Sequence, residues 1–329
     1  MEHYTPPYTI TDGMLKKVSD ISEKVGKVIG RRELEGKPHL RRNNRIHSIH
    51  SSLRIEANSL SLSEVRDVID GRSVVGDRLE IAEVKGAYAA YNEIGRANPY
   101  SVNDLLRLHA IMVGDTVAQA GVFRTGPEGV FSGDKCIFIA PPPEMVPELV
   151  GDLFAWMNAN TSKIHPLILS AVFHYEFVFI HPFSDGNGRM ARLWHTMLLH
   201  AWRPVFEYIP IESQIERFQD AYYTVIARCH SEGNSNLFIE FMLEQIDLTL
   251  DTLIEQTKNA EVDEYVRKML NVMELDVPYT ATAIMAAIGL KSKETFRKHY
   301  LNPAMDLGLV IMTLPEKPTS RNQQYVRKA

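Results

Sequence analysis

The sequence predicts an all-α core that carries one β-hairpin flap, followed by a small C-terminal winged helix-turn-helix domain. Three observations predict this arrangement. Apolar residues recur at helical spacing over most of the 329 residues. A Gly- and Pro-rich segment, 121–143, interrupts that pattern with short Val, Ile and Phe runs. From Ala281 to Ala329, eight Lys or Arg stand against three Asp or Glu, a local charge of +5, whereas the whole chain carries −5.

The composition is typical of a soluble globular protein, with 45% hydrophobic and 23% charged residues. It excludes a chain that is mainly disordered, and the lack of a long apolar run predicts no membrane span. The first residues lack a signal-peptide pattern, and Cys136 and Cys229 are the only cysteines. We therefore expect a cytoplasmic protein without disulfides. The net charge argues against a chain devoted to nucleic acid, but not against one basic domain.

We expect an N-terminal helical region over residues 1–100. One helix is predicted near Asp12–Gly30 and a second over 41–60, whose apolar residues share one face. Those apolar residues are Ile46, Ile49, Leu53 and Leu60. Ser and an acidic residue three positions later, at 61–64 and 101–104, predict the starts of the next helices.

The core is expected over residues 101–250, and its segment 121–143 reads as a hairpin flap or a structural hairpin that covers the core. The helices predicted after it are 145–158, 166–179, 212–229 and 237–258. The winged helix-turn-helix domain is expected over 260–329. Its predicted elements are a helix over 281–287, a turn at Gly289, a helix over 293–305 and a strand pair within 309–326.

The segment that carries chemistry is His181-Pro-Phe-Ser-Asp185-Gly-Asn187-Gly188-Arg189-Met-Ala-Arg192. Its glycines permit positive φ and close approach of a ligand, and the start of the following helix offers N–H groups to an anion. Arg189 and Arg192 lie on one helix face and together suit a polyphosphate. Asp185 is a hard oxygen ligand suited to Mg²⁺, and His181 is the candidate base.

This segment resembles the Fic-family signature H-x-F-x-(D/E)-G-N-G-R-x-x-R, with every fixed position present. The resemblance to the family extends over about residues 45–250. The resemblance implies the all-helical Fic core and Mg²⁺-dependent transfer of AMP from ATP to a Ser, Thr or Tyr hydroxyl of a target protein. Gly188 stands where the phosphorylating Doc-like branch has Lys, which favours AMP transfer.

The resemblance also implies a role for each residue of the signature. His181 would deprotonate the hydroxyl, Asp185 would hold Mg²⁺ on the α- and β-phosphates, Arg189 would orient phosphate, and Arg192 would hold the γ-phosphate. The residues that would line the anion hole are Gly186, Asn187 and Gly188, with the Asn187 side chain on the α-phosphate. The segment 121–124, Gly-Val-Phe-Arg, resembles the approach to the Fic flap, which pairs with the target as an added strand.

The helix expected at about 45–58 resembles the inhibitory helix of one Fic class, with the pattern (S/T)-x-x-x-E-(G/N). Ser52 and Glu56 match it and share a helix face. The resemblance implies that Glu56 pairs with Arg192 and removes the partner of the γ-phosphate. Ala57 departs from the pattern, but we expect this small residue to preserve the close approach. The alternative is a solvated helical carboxylate.

The segment from Tyr279 to Ala329 resembles the winged-helix tail of many bacterial Fic proteins, and both DNA binding and protein docking stay open for it. The basic residues that suit phosphate contacts are Arg297, Lys298, His299, Lys317, Arg321 and Arg327. The competing interpretations are a DNA-binding regulator whose core senses nucleotide, another nucleotide donor, and removal of AMP with the help of Glu56. Self-modification and a homodimer also fit the resemblance.

Overall fold

The computed structural model describes residues 4–30, 38–132, 135–259, 264–318 and 320–328. The chain divides into two compact units, Met1–Thr252 and Leu253–Ala329. In its described residues the first unit is helical apart from one hairpin, so the predicted all-α core with a small β element is confirmed. None of the helices in the described ranges combines the length and apolar content that a membrane crossing requires.

Eleven α-helices run through the described residues up to position 259. They are α1 (Asp12–Gly30), α2 (Pro38–Ile55), α3 (Leu62–Ile69), α4 (Arg78–Tyr91), α5 (Val102–Val113), α6 (Val146–Asn160), α7 (Pro166–Ile180), α8 (Asn187–Trp202), α9 (Ile211–Arg217), α10 (Gln219–Glu232) and α11 (Asn236–Asn259). The two predicted helix starts are confirmed, because the hydroxyls of Ser61 and Ser101 accept from the backbone N–H groups of Glu64 and Asp104.

The centre of the first unit is formed by α7 and α8, which are buried on nearly every side. Because α8 also carries buried polar residues, it brings charge into the middle of an apolar core. The short loop that joins these two helices is therefore anchored at both ends by elements that are buried over most of their length.

The end of α2 differs from the prediction, because the helix stops at Ile55 rather than at about residue 58. Ala57 has φ +66°. Its N–H donates to Arg54 O, and the N–H of Asn58 donates to Leu53 O. These two bonds define a Schellman motif with Ala57 at the left-handed position. That position is usually Gly or Asn, so backbone conformation accounts for the Gly or Asn that ends the inhibitory pattern.

A second difference lies in the segment predicted as one helix over 212–229. Two helices, α9 and α10, occur instead, separated at Phe218, where φ is −112° and ψ is 34°. The hairpin predicted within 121–143 is confirmed as antiparallel β1 (Gly129–Ser132) and β2 (Lys135–Ile139). Cys229 is free and buried, whereas the Cys136 side chain lies outside the described residues.

The second unit contains short helices and a three-stranded antiparallel sheet in the order β3-β5-β4, rather than a strand pair. Its elements are α12 (Glu264–Leu270), β3 (Pro278–Tyr279), α13 (Ala281–Ala287), β4 (Val310–Met312) and β5 (Tyr325–Arg327), with consecutive helical stretches Lys293–Thr295, Phe296–Leu301 and Asn302–Asp306 between α13 and β4. The winged-helix assignment of this unit stays a prediction.

In the second unit the apolar side chains of the helical stretch after α13 are buried, whereas most of the basic side chains named above are exposed. Phe296, Tyr300 and Leu301 are buried in its core. Arg327, expected among the basic residues that suit phosphate contacts, instead donates to the carbonyls of Leu270 and Met273, so its guanidinium is engaged within the unit. The side chains of Arg297, Lys298, Lys317 and Arg321 are exposed.

Candidate active site

The loop between α7 and α8 holds the chemistry-bearing segment in a conformation that only certain residues tolerate. His181 follows the last residue of α7 with φ +52° and ψ +60°. Gly186 precedes α8 with φ +81°, and a Cβ there would lie 2.8 Å from Val113 Cγ1. Glycine is therefore required at 186 both for its backbone conformation and for the space beside α5.

Asn187 braces this loop. Its side-chain Oδ1 accepts from the N–H of Phe183 at 2.9 Å, and its Nδ2 donates to the carbonyl of Phe183 at 2.8 Å. The resemblance gave Asn187 a contact with the α-phosphate. In the structure the amide closes the turn in front of α8, whose first N–H groups have no intrahelical partners. These N–H groups supply the positive end of the helix dipole to the site.

His181 is suited to accept a proton. Its Nδ1 lies 3.4 Å from the carbonyl of Val178. Burial lowers the pKa of His181 and the positive charge of Arg124 lowers it further, while Glu56 and Asp185 oppose that shift. The imidazole is therefore neutral near pH 7, the form that a general base requires.

Asp185 and Arg189 form a charged pair at the start of α8. The Asp185 side chain is 54% exposed, and its Oδ2 lies 3.1 Å from Arg189 Nη2. The buried Arg189 also donates from Nη1 to Glu83 Oε1 at 3.0 Å. Glu83, on α4, belongs to no motif, and its proximity to Arg189 follows from packing between elements that are far apart in sequence.

Asp185 fits a Mg²⁺ ion that takes most of its ligands from a nucleotide. It presents an exposed carboxylate beside the positive end of α8. Within the described ranges, no group of three or more His, Cys, Asp or Glu side chains is placed to hold a metal by itself. One carboxylate together with substrate phosphates and water is a common ligand set for Mg²⁺.

Arg192 is a buried cation, 1% exposed, that binds the end of α2. Its Nε donates to Ser52 Oγ at 3.0 Å, and its Nη2 donates to Ser52 O at 2.9 Å and to Glu56 Oε1 at 2.7 Å. Burial works against this charge, but Glu56 together with Tyr222 and Tyr91 outweighs burial, so the pKa of Arg192 is raised. Among the described residues, Arg192 Nη1 has no hydrogen-bond partner.

Gly188 is the point at which these groups converge. A Cβ at this position would lie 2.2 Å from Glu56 Oε1 and 3.1 Å from Arg192 Nη1. The missing side chain thus makes room for the Glu56 carboxylate against the first turn of α8. Glu56 therefore occupies space beside both the helix N-terminus and the buried guanidinium, the two features that favour an anion.

The segment that carries Glu56 is held from both sides. The carbonyl of Ile55 accepts from Gln219 Nε2 at 3.0 Å and from the Tyr223 hydroxyl at 3.2 Å. Asn58 Nδ2 donates to Glu83 Oε2 at 2.8 Å and to the carbonyl of Glu80 at 3.2 Å. No local sequence signal connects Tyr223 to Ile55, which lies 168 positions away.

A buried polar layer lies around Arg192. Glu212 accepts hydrogen bonds from the hydroxyls of Ser48, Tyr91 and Thr196. Burial and Glu212 raise the pKa of Tyr91, whereas the charge of Arg192 opposes that shift. This hydroxyl-lined carboxylate is a stable neighbour for the guanidinium because its oxygens are hydrogen-bonded.

Two further histidines, His174 and His195, are buried in α7 and α8. His174 Nε2 pairs with the Tyr222 hydroxyl, and His195 Nδ1 pairs with the carbonyl of Ser170. Burial lowers the pKa of His195 to about 4, so its ring is neutral near pH 7. Burial lowers the pKa of His174 as well, and the nearby His195 and Arg192 lower it further, so both rings stay uncharged.

His109, which sequence reasoning did not select, joins the loop between α7 and α8 to the segment that leads into the hairpin. The N–H of Gly121 donates to His109 Nδ1 at 2.9 Å, and Nε2 lies 3.0 Å from the carbonyl of Asp185. Its ring stacks on Phe183 with centroids 3.6 Å apart. Because Nδ1 accepts, the proton belongs on Nε2, and the ring bridges the two segments in its neutral form.

Comparison with known proteins agrees with this geometry. The Fic/DOC family profile matches residues 99–199, and the profile for the C-terminal domain of the Filamentation induced by cAMP protein Fic-like matches residues 264–326. The crystal structure of a Fic family protein from Desulfovibrio desulfuricans G20 superposes with a TM-score of 0.75 at 38% identity, covering 99% of both chains. The chain belongs to the Fic family.

Further relatives carry an activity in their names. The protein adenylyltransferase Fic of Culex quinquefasciatus is 31% identical over 222 residues, which are 64% of this chain and 42% of that protein. Its namesake from Nematostella vectensis is 30% identical, with 64% and 49% covered. The chain thus spans less than half the length of these relatives. The structure of Fic-1 (aa134–508) from C. elegans, at 23% identity and a TM-score of 0.64, covers 75% of this chain and 73% of its own and shares the fold.

Proposed function

We propose that this protein transfers AMP from ATP to a Ser, Thr or Tyr hydroxyl of a target protein, with Mg²⁺ as the cofactor. The convergence at Gly188 of a buried guanidinium, a helix N-terminus and the Glu56 carboxylate carries the proposal, because it marks an anion site built for polyphosphate. The neutral His181 on the same loop supplies the base. The names of the relatives support this choice of reaction.

The proposed reaction is a single displacement at the α-phosphorus. The imidazole of His181 takes the proton from the target hydroxyl while the oxygen forms a bond to the α-phosphorus. The bond from that phosphorus to the bridging oxygen breaks, and pyrophosphate leaves with its electron pair. The backbone N–H groups at the start of α8 and the guanidinium of Arg192 stabilise the phosphate charge, which is the main task in reactions of this class.

Asp185 would hold the Mg²⁺ ion, and the ion when bound would neutralise charge on the phosphates. Arg189 would keep the Asp185 carboxylate in place, since its guanidinium lies between Asp185 and Glu83. The strands β1 and β2 would offer a backbone edge to the target so that its hydroxyl is presented to His181.

Glu56 is proposed to inhibit this reaction. It occupies Arg192 at 2.7 Å and fills the space in front of Gly188. A γ-phosphate would have to compete with a paired carboxylate for the same buried cation, and the nucleotide would bind in an unproductive arrangement. Removal of the carboxylate in Glu56→Gly would leave Arg192 free to bind phosphate.

The position of the label in ATP tests the proposed reaction directly. Glu56→Gly incubated with Mg²⁺ and ATP labelled at the α-phosphate should become labelled, whereas ATP labelled at the γ-phosphate should leave it unlabelled. Label from the γ-phosphate would identify a phosphotransferase instead. The same pair of experiments with labelled CTP, GTP and UTP would reveal another nucleotide donor.

A further inference from the structure

Arg124 is a buried side chain that binds only backbone carbonyls through the hydrogen bonds seen in the described residues. It is 2% exposed. Its Nε donates to His181 O at 2.6 Å, its Nη1 to Gly126 O at 2.9 Å, and its Nη2 to Pro141 O at 2.6 Å and to Ile180 O at 3.4 Å. A cation in this place complements the negative end of α7.

These contacts surround the strained residue of the catalytic loop. His181 is one of three non-glycine residues in the described ranges with positive φ. Such a conformation persists when neighbouring groups hold it in place. The Arg124 side chain binds the carbonyls of Ile180 and His181, and its own backbone N–H donates to the carbonyl of Pro182 at 2.9 Å. Arg124 thus fixes three consecutive backbone carbonyls, those of His181 and of the residues on either side of it.

The same guanidinium also joins the two ends of the hairpin. Gly126 precedes β1 and Pro141 follows β2, so both connections to the flap are tied to Arg124. The position of the hairpin relative to His181 is therefore set by a single rigid, planar group. Lysine has no such fork and could bind only part of this set.

We propose that Arg124 is a positioning residue, which aligns the His181 base with the flap so that a hydroxyl presented by the flap meets the imidazole. This inference rests on the proposed function, in which the flap holds the target and His181 removes its proton. Arg124 acts through backbone atoms and does not itself touch the reacting groups. Misplacement of reacting groups by about 1 Å can cost roughly 100-fold in rate.

Arg124 also has an electrostatic effect on the base. Its charge lowers the pKa of His181 in addition to the larger effect of burial, while Glu56 and Asp185 act in the opposite direction. From α10, His230 also faces His181, and its own pKa is lowered to about 4 by burial and by His181. Loss of the positive charge at 124 is therefore expected to raise the pKa of His181.

Three variants in the Glu56→Gly background separate geometry from charge. Arg124→Gln removes the charge and most of the donors, and Arg124→Lys keeps the charge but loses the fork. Arg107→Gln is the matched control, because Arg107 lies on α5, is 44% exposed and pairs with Glu93 and Asp104 away from the loop. Both Arg124 variants should lower kcat roughly 10- to 100-fold with nearly unchanged ATP affinity, and the control should match its parent.

The pH dependence provides a readout that a general loss of stability would not move. The acidic limb of kcat should shift to higher pH in Arg124→Gln but not in Arg124→Lys. NMR titration of the His181 ring, identified by its loss in His181→Gln, should show the same shift without any turnover. The proposal is overturned if Arg124→Gln and Arg107→Gln agree in kcat and in the His181 titration.

Two controls keep the outcomes distinct. Thermal melting identifies an Arg124→Gln variant that fails to fold, and Arg124→Lys then decides the geometric claim through kcat. If Glu56→Gly transfers no AMP, the proposed function fails. The NMR titration then still decides whether Arg124 governs His181, since it requires only the folded protein.

Discussion

At the scale of single residues, Ala57 shows how a motif departure acquires a physical meaning. The sequence suggested that a small residue was needed for close approach. The structure places Ala57 at the left-handed position of a Schellman motif, with φ +66°. A left-handed conformation costs a residue with Cβ on the order of 1 kcal/mol relative to glycine. Ala57 therefore makes the backbone conformation that places Glu56 less stable than it would be with the Gly or Asn of the pattern.

We predict that Ala57→Gly strengthens inhibition. Relief of about 1 kcal/mol of backbone strain should lower self-modification about fivefold. The rate of label uptake from α-labelled ATP measures this effect. Ala57→Val is the matched opposite, because a β-branched residue is strained further at positive φ and should raise the rate. An Ala57→Gly variant that is more active than the parent would contradict this account of the motif.

Several other residues of the site could be predicted from the sequence because they lie close together in the chain. His181, Asp185 and Arg192 lie in one short segment, so their chemistry is legible from residue type and spacing. Glu83 and His109 were not selected, and Arg124 was noted only as the end of the segment 121–124, because each contacts its distant partner 57 to 106 positions away only through packing. Local spacing carries no record of such contacts.

At the scale of elements, the end of α2 is held between two other helices of the first unit. Residues of α10 bind the carbonyl of Ile55, and residues of α4 bind the side chain of Asn58. Helix starts were predictable because Ser and Glu caps are local signals. The end of α2 and the break at Phe218 were not predictable. Helices usually end at Gly, Asn or Pro, but Ala57 and Phe218 occupy these two positions.

We predict that Asn58→Ala weakens the attachment of the end of α2 to α4. The change removes the bonds to Glu83 and to the carbonyl of Glu80, and each net hydrogen bond contributes about 0.5–1.5 kcal/mol. Self-modification should therefore rise several-fold in a chain that retains Glu56. In the Glu56→Gly background the same change should have no effect, because no inhibitory carboxylate is left to hold. An equal increase in both backgrounds would show that Asn58 acts elsewhere.

At the scale of the whole molecule, stability is coupled to pH through a buried carboxyl. Glu176 lies inside α7, and its Oε2 accepts from the Tyr4 hydroxyl at 2.8 Å. Burial raises the pKa of Glu176 to about 7, although the Tyr4 bond opposes the shift. Because the folded state holds this proton more tightly than the unfolded chain, its contribution is greatest at low pH and is lost as pH rises towards 7.

We predict that Glu176→Gln raises the free energy of unfolding at pH 8. The expected gain is on the order of 3 kcal/mol, from a shift of two to three pKa units at 1.36 kcal/mol each. The gain should shrink as pH falls towards 4.5, where Glu176 is protonated in both states to a growing extent. Urea unfolding at pH 5 and pH 8 measures it. A gain that is equal at both pH values would rule out the titration of Glu176 as the cause.

The whole fold was predictable to the level of its class. Helical spacing and the Gly- and Pro-rich segment indicated the helical core and its hairpin, both of which are observed. The signature also indicated the residues of the loop. The arrangement in which residues 1–252 form one compact unit depends on contacts that bring α2 against α8 and α9, and no periodicity specifies those contacts.

The central claim is that this loop transfers AMP under the restraint of Glu56. Intact-mass spectrometry after incubation with ATP and Mg²⁺ tests it in one experiment on the parent, Glu56→Gly and Glu56→Gly/His181→Ala. We predict AMP adducts that are strongest in Glu56→Gly, weak in the parent and absent from the double variant. A folded, ATP-binding Glu56→Gly protein without adduct, or adduct on the double variant, would contradict the account.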